Sequence, residues 1–377
     1  MKILRIISRL NIGGPAIHVT NLNYYLDKDY GYNSQLVYGS LAAGEGSMEY
    51  LAKAKKLKTI LLPELGREIN WRKDLKTLWQ LYKIIHREKP DIVHTHTAKA
   101  GAVGRLAAKL AGVPKIYHTF HGHVFHSYFG RLKTKIFILL EKFLARFTTK
   151  IIAISAKQKA ELAAYGIARP DKIAVIRLGF ELNKLQPAKN YWRRKYQLAP
   201  QIILIGIVGR LTAVKNHEYF LEIAREICRQ TDKVRFIIIG DGELREQLTA
   251  SVKLKNLDNK VFLAGFLNDA RKIYSDLDIV VLTSRNEGTP VTLIEAMACG
   301  KPVVSAAVGG VADIIDNNRT GYLAPQDRPE VFARKILQLC QSKTLRKTIG
   351  QRARKKILKL YAVEKLTAKI NSLYKNS

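Results

Sequence analysis

Acidic residues are scarce in this 377-residue chain: 31 Asp and Glu stand against 64 Lys and Arg, a formal charge of +33. The deficit favours anionic partners, meaning nucleic acid, anionic lipid or phosphorylated substrates. Background charge spread over the whole chain is the plainer alternative. Cysteine is nearly absent as well. Cys228, Cys299 and Cys340 are far apart and show no CxxC spacing, a pattern of buried thiols in a reducing compartment. No stretch reaches the ~18–20 clean apolar residues of a spanning helix. The start, MKILRIISRLNIGGPAIHV, is interrupted by Arg5, Ser8 and Arg9, which fits a buried first strand and a glycine turn better than a secretory leader. Tandem repeats and low-complexity segments are also lacking. The expected location is the cytoplasm, or the cytosolic face of a membrane.

What is present is ample apolar material, 47% of the residues, enough for two cores in a chain of this length. Short apolar runs alternate with longer amphipathic ones, which predicts an α/β protein with parallel sheets. In the first half the expected strands are 2–8, 34–39, 58–63, 91–96, 115–122, 150–155 and 172–179, with helices such as 71–89 and 99–111 between them. The series restarts at 201–211 and continues through 234–242, 260–266, 278–284, 302–310 and 321–325. Two such series predict two Rossmann-like domains, with the polar stretch 181–200 as linker. The segment 343–377 carries eleven basic residues and one acid, Glu364. Its apolar positions, among them Ile357, Leu366 and Ile370, suit docking on a neighbouring element, and such a tail can cross back to the first domain.

In open parallel sheets, ligands bind at the carboxyl ends of strands, on the following loops and helix N-termini. NIGGPAIH (11–18) follows the first strand, and Gly13 and Gly14 allow close backbone approach to a ligand where helix amides favour phosphate. It is not GxGxxG, so it makes no dinucleotide claim. GRLTAVKN (209–216) opens the second half, and Arg210 and Lys215 there can meet a diphosphate. EGTPVTLIEAMACG (287–300) reads as a loop entering a short helix, with Pro290 in its first turn and Gly300 as its stop. Glu287 then sits in the loop and Glu295 one to two turns into the helix, with the amides of about Thr289 to Thr292 pointing outward between them. That pattern suits a sugar nucleotide. A helix-capping role for Glu287 and a solvated helix position for Glu295 remain open on spacing alone.

Six of nine histidines lie between 94 and 126. His94 and His96 share a strand face, as do His121 and His123 if that strand continues. A metal site is one reading, but carboxylate ligands are missing nearby apart from Asp91. A polar cleft lined by imidazoles, with His121 bonding a substrate, is the preferred one. FGRLKTKIFILLEKFLARFTTK (129–150) alternates basic and apolar positions at helical spacing. Its Lys133, Lys135, Lys142 and Arg146 suit an anionic membrane surface.

Together these segments resemble the retaining glycosyltransferases of family 4, which have the GT-B fold. The resemblance covers essentially the whole chain. It is carried by GGPAIH, the block HTHTAKAGAVGRLAAKLAGVPKIYHTFHG (94–122), AISAKQKAEL (153–162), GRLTAVKN, IIGDGELREQL (239–248), AGF (264–266), TSRNEGTPVTLIEAMACGKPVVSAAVGGVADII (283–315) and TGYLAP (320–325). Each fragment is weak alone; their order and spacing are specific. The histidine block is similar to members that build surface polysaccharides or lipid-linked glycans.

The resemblance implies two Rossmann-like domains facing a central cleft: an acceptor-binding domain 1–185, a nucleotide-sugar domain 186–350, and a helix 351–377 packing on the first domain. It implies that Arg210 and Lys215 neutralise the donor diphosphate, Glu287 binds the donor sugar and Glu295 the ribose. Amides around Thr289–Thr292, Val291 among them, would hold the β-phosphate within a donor-binding turn that includes Gly288 and Pro290, backbone near Gly265 and Phe266 would read the base, and Gly13 and Gly14 would let the first domain close over the phosphates. His121 would lie beside the transferred sugar. The implied partners are a nucleotide sugar, UDP-linked by family frequency, a polyprenyl-linked or oligosaccharide acceptor, and an anionic membrane surface under a peripheral monomer. No cofactor, metal or nucleic acid is implied, and no persuasive DxD pair is present.

Two departures stand out. RLGFEL (177–182) replaces the NGVD pattern of many members, and Thr289 replaces an aromatic residue in their EGFP. Either change could alter sugar or acceptor choice. Rival readings are a non-hydrolysing sugar-nucleotide epimerase of the same fold, a basic nucleic-acid-binding protein and a metal-dependent hydrolase.

Overall fold

The computed structural model describes residues 1–42, 44–66, 70–122 and 131–377, with Arg131 and Lys133 described by backbone alone. The chain divides into two units, Met1–Phe180 with Val363–Ser377, and Glu181–Ala362. Each is built on its own parallel sheet.

The first sheet contains β1 (Lys2–Ile7), β2 (Asn33–Gly39), β3 (Lys58–Leu62), β4 (Ile92–His96), β5 (Lys115–Phe120), β6 (Lys150–Ala153) and β7 (Ile173–Val175). Their order in space is β3-β2-β1-β4-β5-β6-β7, every pair parallel. The second sheet contains β8 (Ile203–Val208), β9 (Val234–Ile239), β10 (Val261–Gly265), β11 (Ile279–Leu282), β12 (Val303–Ala306) and β13 (Tyr322–Ala324), ordered β10-β9-β8-β11-β12-β13 and also parallel. These strands read as near-continuous Ile/Val/Leu runs because helices cover both faces of a parallel sheet. Strand order reverses at β1/β4 in one sheet and at β8/β11 in the other, and crevices open at such switch points.

The expected strand ends were too long in several places. The 172–179 run pairs only over Ile173–Val175, because the chain then turns toward the last helix: Val363 N donates to Phe180 O at 2.9 Å.

The polar stretch 181–200 is not a free linker. It carries the helix Tyr191–Lys195, whose Trp192 is 1% exposed and donates its indole N–H to Ile273 O at 3.0 Å. The Asp276 carboxylate accepts from the backbone of Asn190, Trp192 and Arg193. Two residues on, Asp278 accepts from Leu204 N and pairs with Arg193. Both carboxylates of this Asp-Leu-Asp triplet are thus committed to holding the segment in place.

The C-terminal segment also divides differently. A boundary at 350/351 falls inside the helix Lys343–Tyr361, which stays with the second unit through buried Ile349, Ala353 and Ile357. A Cβ on Gly350 would lie 1.9 Å from Gly300 O, so this helix crosses the end of Val291–Ala298 at backbone distance. The chain crosses at Ala362, in extended conformation. Only Val363–Lys375 joins the first unit, burying Leu366, Ile370 and Tyr374 there.

Candidate functional site

The candidate chemistry of the second unit sits at its switch point. After β8 comes the loop holding Arg210 and Lys215, after β11 the loop holding Glu287, and after β12 the pair Gly309–Gly310. Lys215 Nζ lies 2.6 Å from Glu287 Oε1, with the side chains 21% and 9% exposed. Thr283, at the end of β11, donates its hydroxyl to the carbonyls of Lys215 and Asn216. Arg285 N adds a bond to Val214 O at 2.8 Å. Two loops distant in sequence are therefore pinned to each other, and the ammonium is aimed at the carboxylate. Arg210 is exposed, and no described residue bonds or pairs with its guanidinium.

Gly309 explains how the Glu287 loop is held from the other side. Its φ is +50°, and a Cβ there would lie 1.8 Å from Glu287 O. Gly310 N donates to that same oxygen at 2.9 Å, and a Cβ on Gly310 would lie 1.9 Å from Gly288 O. Only glycines fit this approach. Gly288 is exposed, Thr289 half-buried and Pro290 buried as the N-cap of the helix Val291–Ala298, where no side chain caps the first turn. Glu287 therefore pairs with Lys215 instead of capping the helix. The amides of Val291 and Thr292 lie in the first turn, which has no intrahelical acceptors to offer them.

Glu295 is not a solvated helix residue. Its Oε2 accepts from the Tyr274 hydroxyl at 2.9 Å, and that hydroxyl also reaches Thr292 O at 3.0 Å. Loss of water around the carboxyl raises its pKa to about 7, partly offset by the tyrosine bond. Gly265 closes β10 with φ +79° and accepts from Gly240 N at 3.0 Å; beside it the Phe266 ring is 55% exposed.

In the first unit, Gly13 precedes the helix Gly14–Tyr30, with Pro15 in its first turn, and Gly13 N donates to Met48 Sδ. The histidines do not line one polar cleft. Alternation along β4 and β5 sends His118 to one face, where it bonds Thr95 Oγ1, and His94, His96 and His121 to the other. His94, His96 and His118 are each 0% exposed. His94 is fully engaged, with Nδ1 2.6 Å from the Tyr374 hydroxyl and Nε2 2.8 Å from Thr119 Oγ1. His96 Nδ1 meets His121 Nε2 at 3.0 Å. His123 and His126 lie outside the described residues.

His18, on the first helix, completes this cluster. Its ring packs edge-on against His96 and His121, with centroids 5.5 and 4.9 Å apart. Both its nitrogens, His96 Nε2 and His121 Nδ1 have no hydrogen-bond partner among the described residues. Burial holds these rings neutral: His121 falls to about 3, and His18, His94 and His96 are pushed well below the usual range. The Arg5 guanidinium depresses the last three further. Arg5 is itself fully buried in β1 and donates to Asn23 and Ser34.

His18, His96 and His121 bring ring nitrogens within 4.8 Å of one another, the one such group among the described residues able to hold a metal ion. Neutral imidazoles suit a borderline cation, whereas the positive Arg5 guanidinium nearby opposes one.

The helix Arg131–Phe147 is anchored by Glu141, which pairs at 2.7 Å with the fully buried Arg105. Leu132, Ile136, Leu139, Leu140 and Phe143 on it are exposed, and so are Lys135, Lys142 and Arg146; the side chain of Lys133 is outside the described set. Among the described residues no helix is long and apolar enough to cross a membrane.

Reasoning from the sequence missed His18, Arg5, Tyr274 and the Gly309–Gly310 cradle. For His18 a signal existed, four residues after Gly14 and one turn into the helix. Tyr274 had none, since it ends a short helix with no motif around it. At RLGFEL, Asn21 Nδ2 bonds Gly179 O and Glu181 pairs with Lys184.

Residues 188–356 match the family model described as glycosyl transferases group 1, and residues 12–184 match that described as glycosyltransferase family 4. The chain is 34% identical, over 84% of its length and 84% of the relative's, to an Escherichia coli UDP-Gal:alpha-D-GlcNAc-diphosphoundecaprenol alpha-1,3-galactosyltransferase. It is 29% identical, over 82% and 83% of the two lengths, to the capsular polysaccharide biosynthesis glycosyltransferase CapM of Staphylococcus aureus. Among solved structures, Anabaena Alr3699/HepE in complex with UDP-glucose superposes with a TM-score of 0.83 at 21% identity, covering 100% of both chains.

Proposed function

The chain belongs to the glycosyltransferases of group 1 and family 4 and has the GT-B fold; from that premise we propose that it moves a sugar from a UDP-linked donor to a lipid-linked glycan, with retention of configuration and without a metal ion. The carrying observation is the Lys215–Glu287 pair, with the exposed Arg210 on the same loop as Lys215 and the uncapped turn at Val291 following Glu287. These groups gather at one switch point and supply positive charge for a departing diphosphate with a carboxylate next to it.

In this reading Arg210, Lys215 and the amides of Val291 and Thr292 stabilise charge that develops as the anomeric carbon–oxygen bond breaks. Glu287 accepts from donor-sugar hydroxyls, and its pairing with Lys215 holds both groups in place before the donor arrives. Glu295, steadied by Tyr274, accepts from the ribose, and Gly265 and Phe266 flank the base. The acceptor oxygen forms its bond on the face the phosphate leaves, and its proton goes to that phosphate. Glu287 is a binder here: a carboxylate held at 2.6 Å by an ammonium is a poor nucleophile. His121, neutral and with Nδ1 unpartnered, would accept from or donate to a sugar or acceptor hydroxyl. The E. coli relative is named for a diphosphoundecaprenol-linked sugar, which supports a polyprenyl-linked acceptor here. The exposed apolar residues of Arg131–Phe147, flanked by Lys135, Lys142 and Arg146, support peripheral attachment to an anionic membrane surface.

The test is a panel of UDP-, GDP- and ADP-sugars assayed for nucleotide release with a polyprenyl-diphosphate glycan, in excess chelator. UDP release with an axial-to-axial or equatorial-to-equatorial product is expected, and it should be strongly reduced in folded Arg210→Ala. Near-normal turnover in that variant, or loss of turnover on chelation, would overturn the diphosphate assignment. A C2-epimerised donor found without acceptor would favour the epimerase. Charge reversal at Lys135, Lys142 and Arg146 should weaken binding to anionic vesicles, and unchanged binding would count against that helix.

A further inference from the structure

The helix Trp71–Glu88 packs on the first sheet through buried Thr77, Leu81 and Ile85. It is held in register by Asn70, whose side chain caps Lys73 N at 3.1 Å, and by the Asp74–Lys99 pair at 2.7 Å. At 3.6 residues per turn its remaining surface sorts into two stripes. Trp71, Leu75, Trp79, Tyr82 and His86 fall within an arc of about 80°. Arg72, Lys76, Lys83 and Arg87 occupy the next arc. The apolar stripe is open to solvent: Trp71 is 70% exposed, Leu75 61% and Trp79 56%. Trp79, Tyr82 and His86 stack on one another, while Arg72 and Lys83 lie over the tryptophan rings, each 5.1 Å from the centroid.

Burying a stripe of this kind is favourable, and an isolated soluble chain gains nothing from displaying two tryptophans along one helix face. Tryptophan prefers the headgroup level of a bilayer, where its body meets acyl chain and its N–H meets water. In the neighbouring row Lys76 pairs with Glu64 and Arg87 with Glu88, and Arg72 and Lys83 add attraction to anionic headgroups. The helix Ala98–Leu110 packs between Trp71–Glu88 and Arg131–Phe147. β3→β4, β4→β5 and β5→β6 all move in one direction along the sheet, so right-handed crossovers put the three helices on one face.

We propose that the Trp71–Leu75–Trp79 stripe is a second membrane-docking element, lying in the headgroup region of an anionic bilayer beside Arg131–Phe147. This rests on the membrane reading given above and deepens it: the first unit engages lipid along a layer of helices, with tryptophans as anchors. The occupant is lipid because the exposed stripe combines interfacial aromatics with Arg72 and Lys83, which lie over the tryptophan rings and pair with no acid among the described residues, on a chain whose net charge is +33.

The test uses the full chain, vesicles of phosphatidylglycerol mixed into phosphatidylcholine, and intrinsic fluorescence. The third tryptophan, Trp192, is buried in the second unit and serves as an internal reference. A blue shift on adding anionic vesicles, with quenching by brominated acyl chains, is expected. Trp71→Ala with Trp79→Ala should remove both signals and weaken co-sedimentation on the order of tenfold. Both side chains are exposed, so circular dichroism should show a folded variant. Vesicle binding without acyl-chain quenching overturns this inference but leaves Arg131–Phe147 as the anchor. No binding to any vesicle overturns both. Self-association in sedimentation, abolished by Trp71→Ala, would make the stripe an interface between copies and also overturn the proposal.

Discussion

Lys215 and Glu287 in the second unit pair at 2.6 Å, with the lysine side chain 21% exposed. The cluster of His18, His94, His96 and His121 in the first unit has no ion pair with a carboxylate among the described residues. Burial holds these rings neutral, and the buried Arg5 guanidinium depresses His18, His94 and His96 further. Both clusters sit at the switch point of a parallel sheet, yet one offers fixed charge and the other offers hydrogen bonds without charge. A leaving diphosphate needs the first. A sugar hydroxyl, which both donates and accepts, is served by the second.

That contrast can be broken most sharply at its charged end. Lys215→Ala should lower kcat on the order of 100- to 1,000-fold, measured as nucleotide release, with the melting temperature little changed. A folded variant with normal kcat would mean that the pair is structural. The next effect belongs to the neutral end. Below pH ~6.5 the unfolded chain protonates its histidines while the buried native rings stay neutral. The unfolded state then binds more protons, so the first unit should lose stability as pH falls, by on the order of a few kcal/mol at pH 5. Thermal melting across that range checks this, and a flat profile would show that the rings are hydrated.

A third expected effect sharpens the comparison within the second unit, because Glu295 is the carboxylate that behaves like the histidines. With its pKa raised to about 7, it is mostly ionised only above that value. The donor KM should therefore rise as pH drops below 7, approaching tenfold per unit, and Glu295→Gln should flatten the profile. Tyr274→Phe removes a bond that favours the ionised form, so it should move the transition to higher pH. The smallest effect is Tyr374→Phe, which strips His94 Nδ1 of its partner. It should cost about 1–2 kcal/mol of stability in the first unit, read by urea denaturation, with kcat unchanged.

Much of this arrangement was legible in the chain. The alternation of short Ile/Val runs with amphipathic stretches specified parallel sheets, because a strand covered on both faces must be apolar throughout. GRLTAVKN and EGTPVTLIEAMACG placed Arg210, Lys215, Glu287 and Glu295 after such strands, which is where loops converge. The 181–200 stretch was misleading because its backbone amides at Asn190, Trp192 and Arg193 are satisfied by Asp276, more than eighty positions away, and its Arg193 side chain by Asp278. Likewise, 343–377 reads as one basic helix until Gly350 meets Gly300 and ties its first half to the second unit.

By itself, then, the sequence determined which side chains lie on which strand-following loop, since that depends on local pattern. Only the tertiary structure decided their state. Lys215 finds Glu287 across 72 residues and His94 finds Tyr374 across 280, and no local signal encodes such meetings. Whether an imidazole faces water or core depends on one step of alternation along a strand and on what packs above it, here His18 and the last helix.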